Sequence, residues 1–158
     1  MQKNKSKLDW CLNNEKLMKK IKPNEREAKA HIEKAKHNLK AADFNIKGEF
    51  EDWAVSQLYY AMYHSLLSIL FSNGYESRNH ECTFKMVEKL ILDKKINLEL
   101  GDIALIRTAG EMTQKDAKAL REEFQYGTKT EVNKEILKEL IKKSKEIVEK
   151  VEVILNEK

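Results

Sequence analysis

The hydrophobic positions of this chain fall at helical spacing almost from end to end, and one stretch carries two sets of them. Between Asp52 and Gly74, one stripe runs Val55, Leu58, Tyr59, Met62, Leu66, Ile69 and Leu70, and a second runs Tyr60, Tyr63, Leu67 and Phe71. Residues three and four apart share a helix face, so this segment reads as a helix with two apolar faces. A surface helix needs only one. The remaining face is small and polar, with Gln57, Ala61, His64, Ser68 and Ser72. The pattern predicts a helix at the centre of a bundle, or at a seam where two bundles meet.

The flanking segments carry single stripes. Residues 4–20 give a short amphipathic piece on Leu8, Leu12, Leu17 and Met18, with Trp10 and Cys11 alongside. Pro23 breaks that run and suits the start of the next helix, whose stripe is Ala28, Ile32, Ala35, Leu39, Ala42 and Ile46. Its alanines permit close approach to a neighbour, and Gly48 is a natural stop. After Asn73-Gly74, a turn over residues 75–79 offers Ser77 and Asn79 as caps. The helix that follows carries Phe84, Val87, Leu90 and Ile91 and ends at Lys94-Lys95. Leu98, Leu100, Ile103 and Ile106 mark a short helix before Gly110. Thr113 with Asp116 resembles a capping box, opening a helix that turns Ala117, Leu120 and Phe124 inward and stops at Tyr126-Gly127. From Glu131 a long final helix carries Leu137, Leu140, Ser144, Ile147, Val151 and Ile154. Its other face is Lys and Glu, many four apart, which supports the helix.

No strand pattern, glycine-rich phosphate loop or solenoid repeat is visible in the sequence. The expected fold is all-α, an antiparallel up-and-down helical bundle of four to five main helices over residues 23–158. Residues 1–22 form an additional N-terminal helical extension.

Composition sharpens this only a little. A chain of 158 residues fits one domain with its own core. Charged residues at 35% and apolar ones at 41%, with one proline and five glycines, suit a helical protein in water. The net charge of +4 predicts solubility better than nucleic-acid binding. Ser and His interrupt the apolar run 54–71, so no membrane span is expected, and no signal-peptide core follows Lys7. Cys11 and Cys82 lie far apart and show no disulfide framework, which predicts a reducing cytoplasm.

The order of motifs adds a resemblance. The small-residue helix ending in Gly48 is followed by Trp53-Ala54, Leu58-Tyr-Tyr-Ala-Met-Tyr-His64, Gly74-Tyr75 and His80, then by Ala119-Leu-Arg-Glu-Glu-Phe-Gln-Tyr-Gly127. Over residues 24–155 this is similar to the HEPN superfamily. The resemblance implies a bundle of four or five helices, usually a homodimer. It also implies a gene often placed beside a small nucleotidyltransferase, in prokaryotic toxin–antitoxin or defence modules. Many such proteins are metal-independent endoribonucleases with Arg-x4-6-His near the dimer interface, and a partner nucleotidyltransferase can add AMP to a tyrosine near that motif.

Arg121 fits the arginine of this signature and Glu122 the polar residue after it, but Tyr126 stands where the histidine is expected. Metal-free RNA cleavage needs one group to take the 2′-hydroxyl proton and another to protonate the leaving oxygen. An imidazole, with a pKa of about 6.5, does both near neutral pH. A phenol, with a pKa of about 10, donates but is a poor base. Arg121 still suits a phosphate. His64, on the small polar face, can replace the missing base from the central helix. The candidate catalytic residues are therefore Arg121, Tyr126 and His64, and the candidate ligand- or RNA-binding residues Arg121, Glu122, Tyr126 and His80.

Each has an ordinary structural role open to it as well. Arg121 suits an ion pair, Tyr126 a helix end, His64 an interface hydrogen bond and His80 a cap. Lysines of 134–150 read as a solvated face. His64, His80 and Cys82 match no standard zinc spacing, so no metal or cofactor is expected. Three functional classes follow. The first is a homodimeric partner of a nucleotidyltransferase, or of a nucleotide or RNA ligand, with a degenerate ribonuclease motif. The second is an active metal-independent endoribonuclease using Arg121 with His64 or Tyr126. The third is a structural helical adaptor without a ligand.

Overall fold

Asparagine side chains cap two of the three longest helices, at Asn24 and Asn133. In the computed structural model, which describes residues 7–114 and 133–157, the Asn24 side chain accepts the Glu27 N–H at 3.0 Å and starts α2 (Glu25–Lys47). Pro23 lies just before this cap, where it cannot extend the helix backwards. A connection over residues 48–50 turns the chain into α3 (Glu51–Ser72), and so short a link makes the two helices antiparallel neighbours. Gly48 caps α2, but its φ is −85°, and the left-handed step falls on Glu49 with φ 67°. The remaining elements are α1 (Lys7–Leu12), β1 (Met18–Lys20), β2 (Tyr75–Ser77), α4 (His80–Leu92), α5 (Leu100–Gln114) and α6 (Lys134–Asn156). The fold is all-α apart from one small sheet.

The doubly striped helix α3 is the core, as its pattern predicts. Leu58, Tyr59, Met62, Leu66, Ile69 and Leu70 are buried, and so are Tyr63, Leu67 and Phe71 of the second stripe. Helices α4, α5 and α6 pack on it along with α2. The third, small face is also covered, because α2 lies there. Ser68 Oγ donates to the Ala28 carbonyl, Ser72 Oγ to Glu25 Oε1 at 3.0 Å, and Asn45 Nδ2 to Gln57 Oε1 at 2.9 Å. Buried Ala28, Ala35 and Ala42 let the helices approach closely enough for these bonds. Of the second stripe, Tyr63, Leu67 and Phe71 are thus covered within the chain, and Tyr60 stays exposed.

Three expectations need correction at the N-terminal end. The amphipathic piece over residues 4–20 is helical only from Lys7 to Leu12. Asn14 then accepts the Lys16 N–H with its own side chain at 3.0 Å, a turn that competes with helix. The chain continues into β1, which pairs antiparallel with β2 in the register Met18↔Ser77, Lys19↔Glu76 and Lys20↔Tyr75. Strands of three residues are too short to leave a period-two pattern in a sequence. Lastly, Cys11 and Cys82 form a disulfide across 71 residues, with their Cα atoms 5.7 Å apart. That removes the cysteine argument for a reducing compartment. Leu8, Cys11 and Met18 join the same hydrophobic core as α3.

Glycines set two close approaches. Gly74 has φ +88°, and a Cβ there would lie 2.8 Å from the Ile21 carbonyl oxygen, whose own residue donates to Gly74 O at 2.9 Å. Gly110 does not end its helix, contrary to expectation, because α5 runs through it to Gln114. It is a packing residue instead. A Cβ at Gly110 would lie 2.7 Å from Cε1 of Tyr59. No helix among the described residues is long and apolar enough to cross a membrane.

Candidate functional site

Three helices each contribute an imidazole to one row of rings. His31 comes from α2, His64 from α3 and His80 from the first position of α4, where Asn79 caps by accepting the Cys82 N–H at 2.9 Å. Phe71 stacks on His31 with centroids 5.1 Å apart, and His31 stacks on His64 at 5.1 Å. Tyr63 meets His64 edge-on at 6.5 Å and stacks on His80 at 4.0 Å. Tyr59 stacks on both Tyr63 and His80, and exposed Tyr60 meets His80 edge-on at 6.3 Å. The periodicity of α3 explains the grouping, since positions 59, 60, 63 and 64 form one patch of its surface.

Burial sets the protonation of the row. It is the main cause that pushes His64 down to about 4, with His31 and Lys34 lowering it further. His31 is lowered by burial against the opposing pull of Glu27, and burial lowers His80 as well. All three imidazoles are therefore neutral near pH 7. Burial raises Tyr63 to about 12, and it raises Tyr59 further still. Tyr59 OH and His80 Nδ1 are 2.5 Å apart. With the phenol holding its proton, Tyr59 donates, and the His80 ring proton lies on Nε2. Tyr63 bonds Thr83 Oγ1 at 3.0 Å. His31 Nδ1 and His64 Nδ1 are 2.9 Å apart, so between two neutral rings one nitrogen donates and the other accepts.

Of the sequence candidates, the structure brings His64 and His80 to the same aromatic row through Tyr63. Arg121, Glu122 and Tyr126 lie outside the described residues. Cys82, the third member of the zinc set, has its sulfur in the disulfide. His31 and Tyr59 were not singled out from sequence as site residues. His31 sits beside the Ala28–Ile32–Ala35 stripe, so the signal was a polar residue at the edge of the face that must meet α3. Arg107 has a structural role. Its Nη2 donates to Glu81 Oε1 and Glu88 Oε1, each at 2.9 Å, and its guanidinium lies over the Phe84 ring, tying α5 to α4. The row thus supplies neutral imidazoles able to accept or donate protons, phenols able only to donate, and flat ring faces.

Two comparisons bear on this arrangement. Residues 28–154 match the HEPN domain. The chain is also 33% identical over 76 residues to a Methanocaldococcus jannaschii protein named "Putative toxin MJ0142". That match covers 48% of this chain and 52% of the relative, so the chain spans about half the length of the curated relative it matches. The domain match takes in all of α3, α4 and α5, nearly all of α2 and most of α6, and with them the whole ring row. This chain belongs to the HEPN family.

Proposed function

We propose that this protein is the HEPN component of a prokaryotic toxin–antitoxin or defence-type module, acting as a homodimeric partner of a nucleotidyltransferase or of a nucleotide or RNA ligand. The observation that carries the reading is a HEPN match over residues 28–154 whose ribonuclease signature has Tyr126, not histidine, five residues after Arg121. The toxin name of the M. jannaschii relative supports the module type. Phe44, Phe50 and Trp53, each more than half exposed around the α2–α3 turn, support a binding role, since apolar side chains gathered at one turn suit contact with another protein. On this reading Arg121, Glu122 and Tyr126 face the partner or nucleotide, and Tyr126 is the acceptor for AMP.

One observation favours the ribonuclease as a second reading. His64 is half-buried and in contact with a second imidazole, and burial that lowers it to about 4 leaves it unprotonated and free to accept a proton, though as a weaker base than an exposed imidazole. Co-expression with the neighbouring gene, followed by purification and mass spectrometry, tests the first reading. The expected result is a complex and an adenylyl adduct on Tyr126. RNA incubated with the purified chain should survive. Robust metal-independent cutting that is lost in Arg121→Ala and His64→Ala would replace the first reading with the second. A chain that binds neither partner nor RNA is the structural adaptor.

A further inference from the structure

The contact between His31 and His64 has a direction. Glu27 lies one turn before His31 on α2, and its Oε2 is 3.9 Å from His31 Nε2. That is too long for a direct hydrogen bond, yet a carboxylate at this range favours the tautomer whose N–H points towards it. With the proton on Nε2, His31 Nδ1 is a lone pair. The 2.9 Å contact then requires His64 to supply the hydrogen from its own Nδ1. The other nitrogen of His64, Nε2, is left bare. Phe71 stacks on His31 with ring planes 13° apart, and the His31 and His64 ring planes differ by 20°, so the two nitrogens meet nearly in plane as the hydrogen bond needs.

We propose that Glu27 and His31 are positioning residues that hold His64 in its Nδ1–H tautomer, so that His64 Nε2 stands ready to accept a hydrogen bond from a ligand hydroxyl, that of an RNA ribose. The ligand part rests on the nucleotide- or RNA-binding reading above, while the tautomer part stands on the geometry alone. A free imidazole prefers the opposite tautomer, with the hydrogen on Nε2, so the arrangement needs the partner that His31 provides. Among the described residues, the charged and titratable groups that bear on His64 are His31 and Lys34 from α2, with Glu27 acting through His31 and Tyr63 adjacent on α3. Neutral His64 keeps the lone pair that a protonated ring would lose. A ribose hydroxyl distinguishes RNA from DNA, so the acceptor reads sugar type.

Long-range proton–nitrogen spectra of the full chain, with labelled histidines at neutral pH, read the tautomers directly. The expected result is hydrogen on His64 Nδ1 and on His31 Nε2. His31→Phe keeps an aromatic ring in the stack but removes the acceptor, so His64 should revert towards its Nε2–H form. Glu27→Ala removes the bias on His31, so the shared hydrogen should pass in part to His31 Nδ1, moving His31 towards its Nδ1–H form and His64 towards its Nε2–H form. Wild-type His64 with its hydrogen on Nε2 overturns the inference and leaves the proposed function untouched. Titration with one short oligonucleotide as RNA and as DNA checks the ligand. His31→Phe should weaken RNA binding roughly fivefold, the worth of one hydrogen bond, and leave DNA binding unchanged. Equal wild-type affinity for the two strands, or none for RNA, overturns the ligand assignment even with the tautomers as stated.

Discussion

Replacing Gly110 by alanine sets two effects of opposite sign against each other. In a helix interior alanine is favoured over glycine by about 1 kcal/mol, and Gly110 lies inside α5. Against this, the new Cβ would lie 2.7 Å from Tyr59 Cε1, 3.0 Å from Cζ and 3.1 Å from the hydroxyl. Carbon atoms rest about 3.5–4.0 Å apart, so the ring must retreat by roughly 1 Å. It has little freedom to do so, being 1% exposed, stacked on Tyr63 and His80, and bonded to His80 Nδ1 at 2.5 Å. Overpacking of a filled core costs about 1–3 kcal/mol, and a strained or lost Tyr59–His80 bond adds about 1 kcal/mol. The clash wins, and Gly110→Ala should destabilise by about 1–3 kcal/mol. Urea unfolding of wild type and variant measures this. In a Tyr59→Leu background the sign should reverse, because the ring that collides is gone. A Gly110→Ala protein more stable than wild type by the propensity difference would refute the close approach itself.

Three further outcomes are expected. Cys11→Ala with Cys82→Ala removes a cross-link that spans 71 residues; chain entropy puts this at about 4 kcal/mol, a fall of roughly 10 °C in Tm for a domain of this size, and an unchanged midpoint by calorimetry would contradict it. Unfolded imidazoles take up protons near pH 6.5, whereas His64 does so only at about 4 and His31 and His80 are also lowered; the unfolded state therefore binds more protons below pH 6.5, and stability should fall from pH 6.5 towards pH 4. Unfolding midpoints at pH 7.5 and pH 5 check this, with His64→Gln expected to flatten the slope. Asn79→Ala removes the side-chain cap on Cys82 N and should cost about 1 kcal/mol, measured by urea unfolding, whereas Ser77→Ala should leave this cap intact.

The helices of the bundle were legible because burial selects residues at helical period, and α3 with its two stripes reads directly as the centre. The stripe of the last helix is also buried as written, from Leu137 to Ile154. The N-terminal strap was not legible. Leu17 and Met18 satisfy a helical stripe and a strand equally well over so few residues, and the choice is made by Asn14 and by pairing with Tyr75–Ser77, far along the chain. The same distance hid the disulfide. Gly110 misled because glycine marks both helix ends and close approaches, and only the position of Tyr59 tells which applies. In the candidate site, His64 and His80 were visible as residues of a motif. His31 was not, because what gives it a role is the small face of α3 opposite, and facing relations between helices are a property of the packed bundle.

The strap formed by α1 and β1 also has a consequence for the order of events on the ribosome. Its disulfide partner Cys82 is made 71 residues after Cys11, and its strand partners Tyr75–Ser77 shortly before that. At translation speeds of about 5–20 residues per second, this delay is roughly 4–14 s. The α2–α3 hairpin, whose contacts are local, can collapse within that interval. This segment thus waits for partners made later while α2 and α3 pair, and Cys11 spends the wait as a thiol. Oxidation can follow only once Cys82 has been made, while α5 and α6 are still to come, so the bond can close before the bundle is complete.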